Sequence, residues 1–359
     1  MKASTQLQQL GQSLWLDNIT RELLDSGTLQ RYCEQYAITG LTSNPTIFDQ
    51  AIGASGAYDE AIRAKVKQGK SGVALFFELA LEDLRRAAQL LRPVHQASGG
   101  VDGWVSLEVS PLLADDGAAT AAEAKRLHAL ADCPNLFIKI PGTAAGLGAI
   151  EEAIFAGVPV NVTLLFSREQ YLAAADAYWR GITRRIGAGL DPKVNSVASL
   201  FISRWDKAVA VAGKLPPALD NRLGLAIAGR AYRAYRERQD SPRAQQFAAA
   251  GAYSQRLLWA STGSKDPALP ETYYVEALAA PRTIDTMPEK TLLALAEKTS
   301  LAGAAMAPDG GESEATLAEF ARAGIDVDAL AARLQIEGAQ AFSKSWTDLL
   351  AVIAKKERA

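Results

Sequence analysis

Lys139 lies in the middle of "NLFIKIPGT" (Asn135–Thr143), an apolar run of β character in which Phe137 is its nearest same-parity neighbour. Burying an ammonium costs several kcal/mol unless it is paired or sheds its charge. Taken alone, such a lysine could snorkel past the end of a surface strand. The other apolar runs argue against that reading, because side chains on a strand alternate faces with period two. "LWLDN" sets Trp15 and Asp17 opposite Leu14 and Leu16, and "WVSLEVS" sets Ser106, Glu108 and Ser110 opposite Val105, Leu107 and Val109. "VPVNVTLLF" sets Asn161 and Thr163 opposite its valines. Asn44 shares a face with Ile38, Gly40 and Thr42, Ser199 with Asn195, Val197 and Phe201, and Ser261 with Leu257 and Trp259. Lys139 therefore joins Asp17, Asn44, Glu108, Asn161, Thr163 and Ser199 in one polar cluster.

A lysine among partly apolar walls can have its pKa lowered from ~10.4 toward ~7–8, which frees its amine near neutral pH. The distinctive use of that amine is attack on a carbonyl to form a Schiff base. The iminium withdraws electrons, so a neighbouring carbon–carbon bond can break without a metal. The proton transfers then need two carboxylates with different roles, and Asp17 and Glu108 sit on separate strands. Asn44, Asn161 and Ser199 can bond the hydroxyls of a sugar-like substrate, and Thr163 can hold a water.

Eight strands must position these groups: Leu14–Asn18, Ile38–Asn44, Trp104–Ser110, Leu136–Pro141, Val158–Leu165, Val194–Phe201, Gln255–Ser261 and Tyr273–Leu278. Helical runs such as "ATAAEAKRLHALA" and "RLGLAIAGRAYRAYRERQ" separate them. The alternation predicts an α/β protein, a (β/α)8 TIM barrel, with extra helices between strands two and three (about 50–91) and at the C-terminus (about 288–356). "APDGGESE" is a polar loop within that tail, and no linker divides residues 1–359, so one barrel domain is expected. In such a barrel the polar strand ends converge on the mouth, where active sites form.

The composition narrows the partners. The chain has 359 residues, 48% of them apolar, enough for a large core, and a net charge of −2 that leaves no footprint for nucleic acid or an anionic membrane. Cys33 and Cys133 make neither a disulfide framework nor a metal-ligand spacing, which suits a reducing compartment. The N-terminal "MKASTQLQQLGQSLWL" lacks a continuous apolar segment, and no apolar run is long enough to span a bilayer. A cytoplasmic protein is expected. His95 and His128, the only histidines, read as structural or surface residues, so histidine-based triads and metal sites lose support. "GLGAIE" (Gly146–Glu151) lacks the third glycine of a dinucleotide fingerprint and reads as helix-start packing. The paired Asp115 and Asp116 read as solvated loop residues. No cofactor or metal is expected, and homo-oligomerisation is left open.

Six motifs, "WLDN", "GLTSNPTIF", "SLEVSP", "FIKIPGT", "VNVTLLFS" and "VASLFISRWD", together resemble the transaldolase family, and "WASTGSKDP" and "YYVEAL" resemble its longer bacterial form. The resemblance runs from about Ser13 to the C-terminal helices. It implies a class I enzyme of the non-oxidative pentose phosphate pathway. Such an enzyme moves a dihydroxyacetone unit from sedoheptulose 7-phosphate or fructose 6-phosphate to glyceraldehyde 3-phosphate or erythrose 4-phosphate. By the same resemblance Lys139 is the Schiff-base lysine and Asp17 the acid/base for carbon–carbon cleavage. Glu108, through a water near Thr163, drives formation and hydrolysis of the imine. Asn44 and Asn161, with Ser199 beside them, grip the dihydroxyacetone moiety, and Arg204 and Ser261 bind phosphate. Where shorter members carry an arginine two residues after that serine, this chain has Gly263 followed by Lys265, which makes Lys265 the candidate replacement. The alternative is a class I aldolase that releases free dihydroxyacetone. Those relatives are shorter and tend to carry tyrosine at the position of Phe201.

Overall fold

The computed structural model describes residues 2–212, 215–301 and 305–358. Of the expected domain 1–359, residues 1, 213, 214, 302–304 and 359 lie outside the described residues, including three within the expected C-terminal helical stretch.

Eight parallel strands run among the described residues: β1 (Ser13–Asp17), β2 (Ile38–Thr42), β3 (Val105–Glu108), β4 (Leu136–Pro141), β5 (Val160–Leu165), β6 (Ser196–Phe201), β7 (Arg256–Ala260) and β8 (Ile284–Met287). Their order is β2-β1-β8-β7-β6-β5-β4-β3. The Leu41 N–H donates to the Trp104 carbonyl at 2.9 Å and the Gly103 N–H to the Thr39 carbonyl at 2.9 Å, which joins β2 to the start of β3 and closes the ring. The fold is the expected (β/α)8 barrel. Helices Pro45–Ala54, Asp59–Lys67 and Gly72–Ala97 fill the interval between β2 and β3, and Glu289–Ala296, Ser313–Arg322 and Val327–Lys356 follow β8.

The eighth strand is not where the sequence suggested. Tyr273–Ala277 is a helix and β8 is Ile284–Met287. The aromatic and β-branched content of "YYVEAL" imitates a strand, yet its buried Tyr274, Val275 and Leu278 follow the i, i+1, i+4 spacing of a helix face. The true strand is short and carries Asp285 and Thr286, which hides it from any search for apolar runs.

Register confirms the inward-facing rows. Glu108 pairs with Lys139, Lys139 with Asn161, and Trp15 with Thr286 across neighbouring strands. Strand β7 corrects the expected parity: Leu258 and Ala260 lie in register with Ser199 and Phe201, while Trp259 is in register with Asp285. Aromatic residues fill the floor of the barrel. The Phe137 and Trp104 rings stack with centroids 4.1 Å apart, Trp15 lies 6.2 Å from Phe137, and the Trp15 indole donates to Asp102 at 2.8 Å. Gly40 makes that floor possible, because a Cβ there would sit 2.6 Å from the Trp15 ring. These rings fill the barrel below the polar residues of its mouth, and on the far side the Arg256 guanidinium donates to the Ser13 hydroxyl at 2.7 Å.

Candidate active site

The mouth encloses a cavity of about 230 Å³ lined by Lys139, Asp17, Asn44, Thr163, Ser199, Arg204, Ser261 and Lys265. Eight of the ten residues singled out from sequence thus share one space. The other two, Glu108 and Asn161, are buried and are not part of that lining.

Lys139 leaves β4 as a 5% exposed side chain. Its Nζ donates to the Ser43 carbonyl at 3.2 Å and lies 3.5 Å from Glu108 Oε2 on β3. Glu108 is also buried, and burial pushes its carboxyl up to about 7 against the downward pull of Lys139, with a further upward push from Asp17. Among the described residues, neither Glu108 oxygen nor the Thr163 hydroxyl has a hydrogen-bond partner. Leaving such groups unmet costs ~1–3 kcal/mol each, so natural interiors satisfy them by other means. Glu108 and Thr163 thus keep hydrogen-bonding capacity free beside the Lys139 amine, where a water could be held.

Asp17 ends β1 and is held from one side. The Thr42 hydroxyl donates to Asp17 Oδ1 at 2.6 Å and contacts the Thr286 hydroxyl at 2.7 Å. A carboxylate fixed by one oxygen in the cavity wall suits a base for a substrate hydroxyl. Asn161 accepts from the Ser199 hydroxyl at 2.7 Å and donates to the Ser106 hydroxyl at 3.2 Å. That leaves one of its two amide hydrogens uncommitted. Asn44 caps the helix Pro45–Ala54, its side-chain oxygen accepting from the Ile47 N–H at 3.1 Å. The cap leaves its amide nitrogen for a ligand.

The phosphate candidates come from the ends of β6 and β7. Helix Ser203–Ala212 begins at the mouth and carries Arg204 in its first turn. Among the described residues Arg204 has no hydrogen-bond or ion-pair partner, and burial pulls its pKa downward. The carboxylate of Asp206, two residues on, is engaged elsewhere, accepting from the Leu223 N–H at 2.8 Å and the Tyr274 hydroxyl at 2.8 Å. Ser261 joins the cavity by a route parity cannot give. Its φ of 57° is left-handed, a conformation uncommon outside glycine, and its hydroxyl lies 3.0 Å from that of Ser203. Lys265 reaches the same cavity, and burial, with Arg204 nearby, lowers its pKa. A Cβ at Gly263 would lie 3.0 Å from Pro288 Cγ, so a larger residue there would crowd the turn before helix Glu289–Ala296.

The weaker motifs settle into the scaffold. Asp116 caps helix Gly117–Ala131. A Cβ at Gly146 would meet the Pro141 carbonyl at 2.0 Å, so "GLGAIE" does serve close helix–strand packing. Sequence reasoning missed Thr42, Thr286 and Phe342. Phe342 lines the cavity from helix Val327–Lys356, far along the chain from every strand. Among the described residues, no helix is long and apolar enough to cross a membrane.

A family model for "Transaldolase/Fructose-6-phosphate aldolase" matches residues 14–353. A transaldolase of Parafrankia sp. is 41% identical over 361 residues, covering 99% of this chain and 98% of the relative. One from Frankia alni is 42% identical (98% of this chain, 96% of the relative), and one from Thiobacillus denitrificans is 43% identical (98% and 100%). With the fold, the full-length matches and a lysine-centred barrel mouth in agreement, the chain belongs to the transaldolase/fructose-6-phosphate aldolase family, as an enzyme of its longer bacterial form.

Proposed function

We propose that this enzyme transfers a dihydroxyacetone unit from a ketose phosphate (sedoheptulose 7-phosphate or fructose 6-phosphate) to an aldose phosphate (glyceraldehyde 3-phosphate or erythrose 4-phosphate). The reaction belongs to the non-oxidative pentose phosphate pathway and runs through a Schiff base on Lys139. The observation that carries this reading is the buried contact of Lys139 Nζ with Glu108, 3.5 Å apart, beneath a cavity that also holds Asp17 and Arg204.

Each step gives these groups a task. The neutral amine of Lys139 adds to the C2 carbonyl, and the carbinolamine loses water to become an iminium. Glu108, with a carboxyl near pKa 7, gives a proton to that departing hydroxyl and takes one back from water on hydrolysis, with Thr163 orienting the water. Asp17 accepts the C4 hydroxyl proton as the C3–C4 bond breaks and its electron pair moves into the iminium, leaving an enamine and a free aldose phosphate. The enamine then attacks the acceptor aldehyde, and Asp17 returns the proton to the new alkoxide. Asn44, Asn161 and Ser199 hold the hydroxyls of the three-carbon unit. Arg204, Ser261 and Lys265 hold the phosphate, Arg204 by paired N–H donors.

Phe201 also lines the cavity and has no hydroxyl with which to hold a water that would protonate the enamine carbon, the step that must precede hydrolysis to free dihydroxyacetone. This supports transfer over release. The deciding experiment is a coupled assay on fructose 6-phosphate with and without erythrose 4-phosphate. Turnover should require the acceptor. Steady release of dihydroxyacetone without it would make the protein an aldolase.

A further inference from the structure

The half-buried Arg204 guanidinium packs on rings and has no ion-pair partner among the described residues. Its Cζ lies 5.1 Å from the Phe201 ring centroid and 6.0 Å from that of Phe342. Phe201 belongs to the barrel, but Phe342 comes from the C-terminal helix Val327–Lys356. That helix is pinned across the mouth by one face. The Gln335 amide donates to the Gly142 and Leu164 carbonyls at 3.1 and 2.9 Å, above β4 and β5. Gly338 lets the helix come close, since a Cβ there would sit 2.9 Å from Leu164 Cδ2 and 3.4 Å from Arg204 Nη1. Beyond Phe342, the Ser345 hydroxyl meets that of Thr46 at 2.7 Å. Residues 335, 338, 342 and 345 are spaced 3, 4 and 3 apart, the spacing of a single helix face.

We propose that Phe342 is a positioning residue for phosphate recognition: with Phe201 it fixes the Arg204 guanidinium, so the C-terminal helix forms part of the phosphate site. The physical logic lies in what a ring leaves free. A carboxylate partner would consume the N–H donors of Arg204 and neutralise its charge. An aromatic face attracts the cation through its quadrupole and leaves all five N–H groups for an anion. The same ring lies 5.7 Å from Lys139 Nζ, so it touches the surroundings of both the amine that would take the carbonyl and the guanidinium that would take the phosphate.

The inference rests on the reading of Arg204 as a phosphate ligand, and the experiment separates the two. Fructose 6-phosphate and fructose are compared as donors, with glyceraldehyde as a common acceptor free of phosphate, and inhibition by inorganic phosphate is measured in parallel. Phe342→Leu should lower the preference for the phosphorylated donor about 3- to 10-fold, the scale of one partly buried cation–π contact, and weaken phosphate inhibition equally. Phe342→Tyr, which keeps the ring, should stay within about twofold of the parent. Phe342→Met serves as a second ring-free variant should the leucine variant melt early. If Arg204→Ala abolishes the phosphate preference while both ring-free variants retain it, the role of Phe342 falls and that of Arg204 stands. If Arg204→Ala leaves the preference intact, both fall. Equal losses on both donors in the ring-free variants, or a loss in Phe342→Tyr matching theirs, would also overturn the proposal.

Discussion

Asp285 offers a quantitative test of how the mouth is held. It lies on β8, fully buried, and among the described residues Oδ2 has no hydrogen-bond partner. The Thr262 hydroxyl sits 2.9 Å from Asp285 Oδ1 and 2.9 Å from the Thr286 carbonyl. A hydroxyl carries one proton, so Thr262 must share it between these two acceptors unless Asp285 is protonated and donates to it. Burial favours the protonated form, because it pushes the Asp285 carboxyl from 3.8 up to about 7. The folded state therefore binds the proton more tightly than the unfolded chain. Stability from this group is full below pH ~4 and is lost as pH rises to ~7. A gap of roughly three units at ~1.4 kcal/mol each gives a loss of order 4 kcal/mol. Asp285→Asn keeps a donor for Thr262 and cannot ionise. Urea unfolding should show parent and variant within about 1 kcal/mol near pH 4, and the variant more stable by ~1–4 kcal/mol at pH 8. Parallel stability curves across that range would refute the argument, as would a variant less stable at pH 8.

Three further outcomes follow from the site. Glu108→Gln should slow turnover ~10²–10⁴-fold, as loss of a general acid–base does, and should abolish the limb near pH 7 in the parent's kcat profile. Asp17→Asn should still accumulate the substrate imine, seen as a borohydride-trapped adduct, while free aldose phosphate no longer appears. Lys265→Ala should raise the KM for fructose 6-phosphate less than Arg204→Ala does, because an ammonium acts as a point charge and not as a fork.

Much of this site was legible because strands β1 to β6 read as apolar runs with period two. A polar residue facing inward on such a strand stands out, and Lys139, Glu108 and Asn161 did. Strand β8 was hidden for the opposite reason: four residues, half of them Asp and Thr, carry no apolar run. Ser261 entered the mouth through a left-handed backbone, which a period-two rule cannot represent. Phe342 had no local signal, since an aromatic in a long amphipathic helix reads as core until the tertiary path of that helix is known. The preference of Arg204 for rings over Asp206 was likewise set by the chain folding Leu223 and Tyr274 onto that aspartate.

The whole proposed reaction runs through a covalent intermediate on Lys139. The most direct measurement is incubation with fructose 6-phosphate and borohydride, followed by peptide mass spectrometry. One reduced dihydroxyacetone adduct is expected, on Lys139, absent from Lys139→Met, a variant expected to fold because methionine fills a similar volume without a charge. An adduct on another lysine, or turnover with no adduct at all, would contradict it.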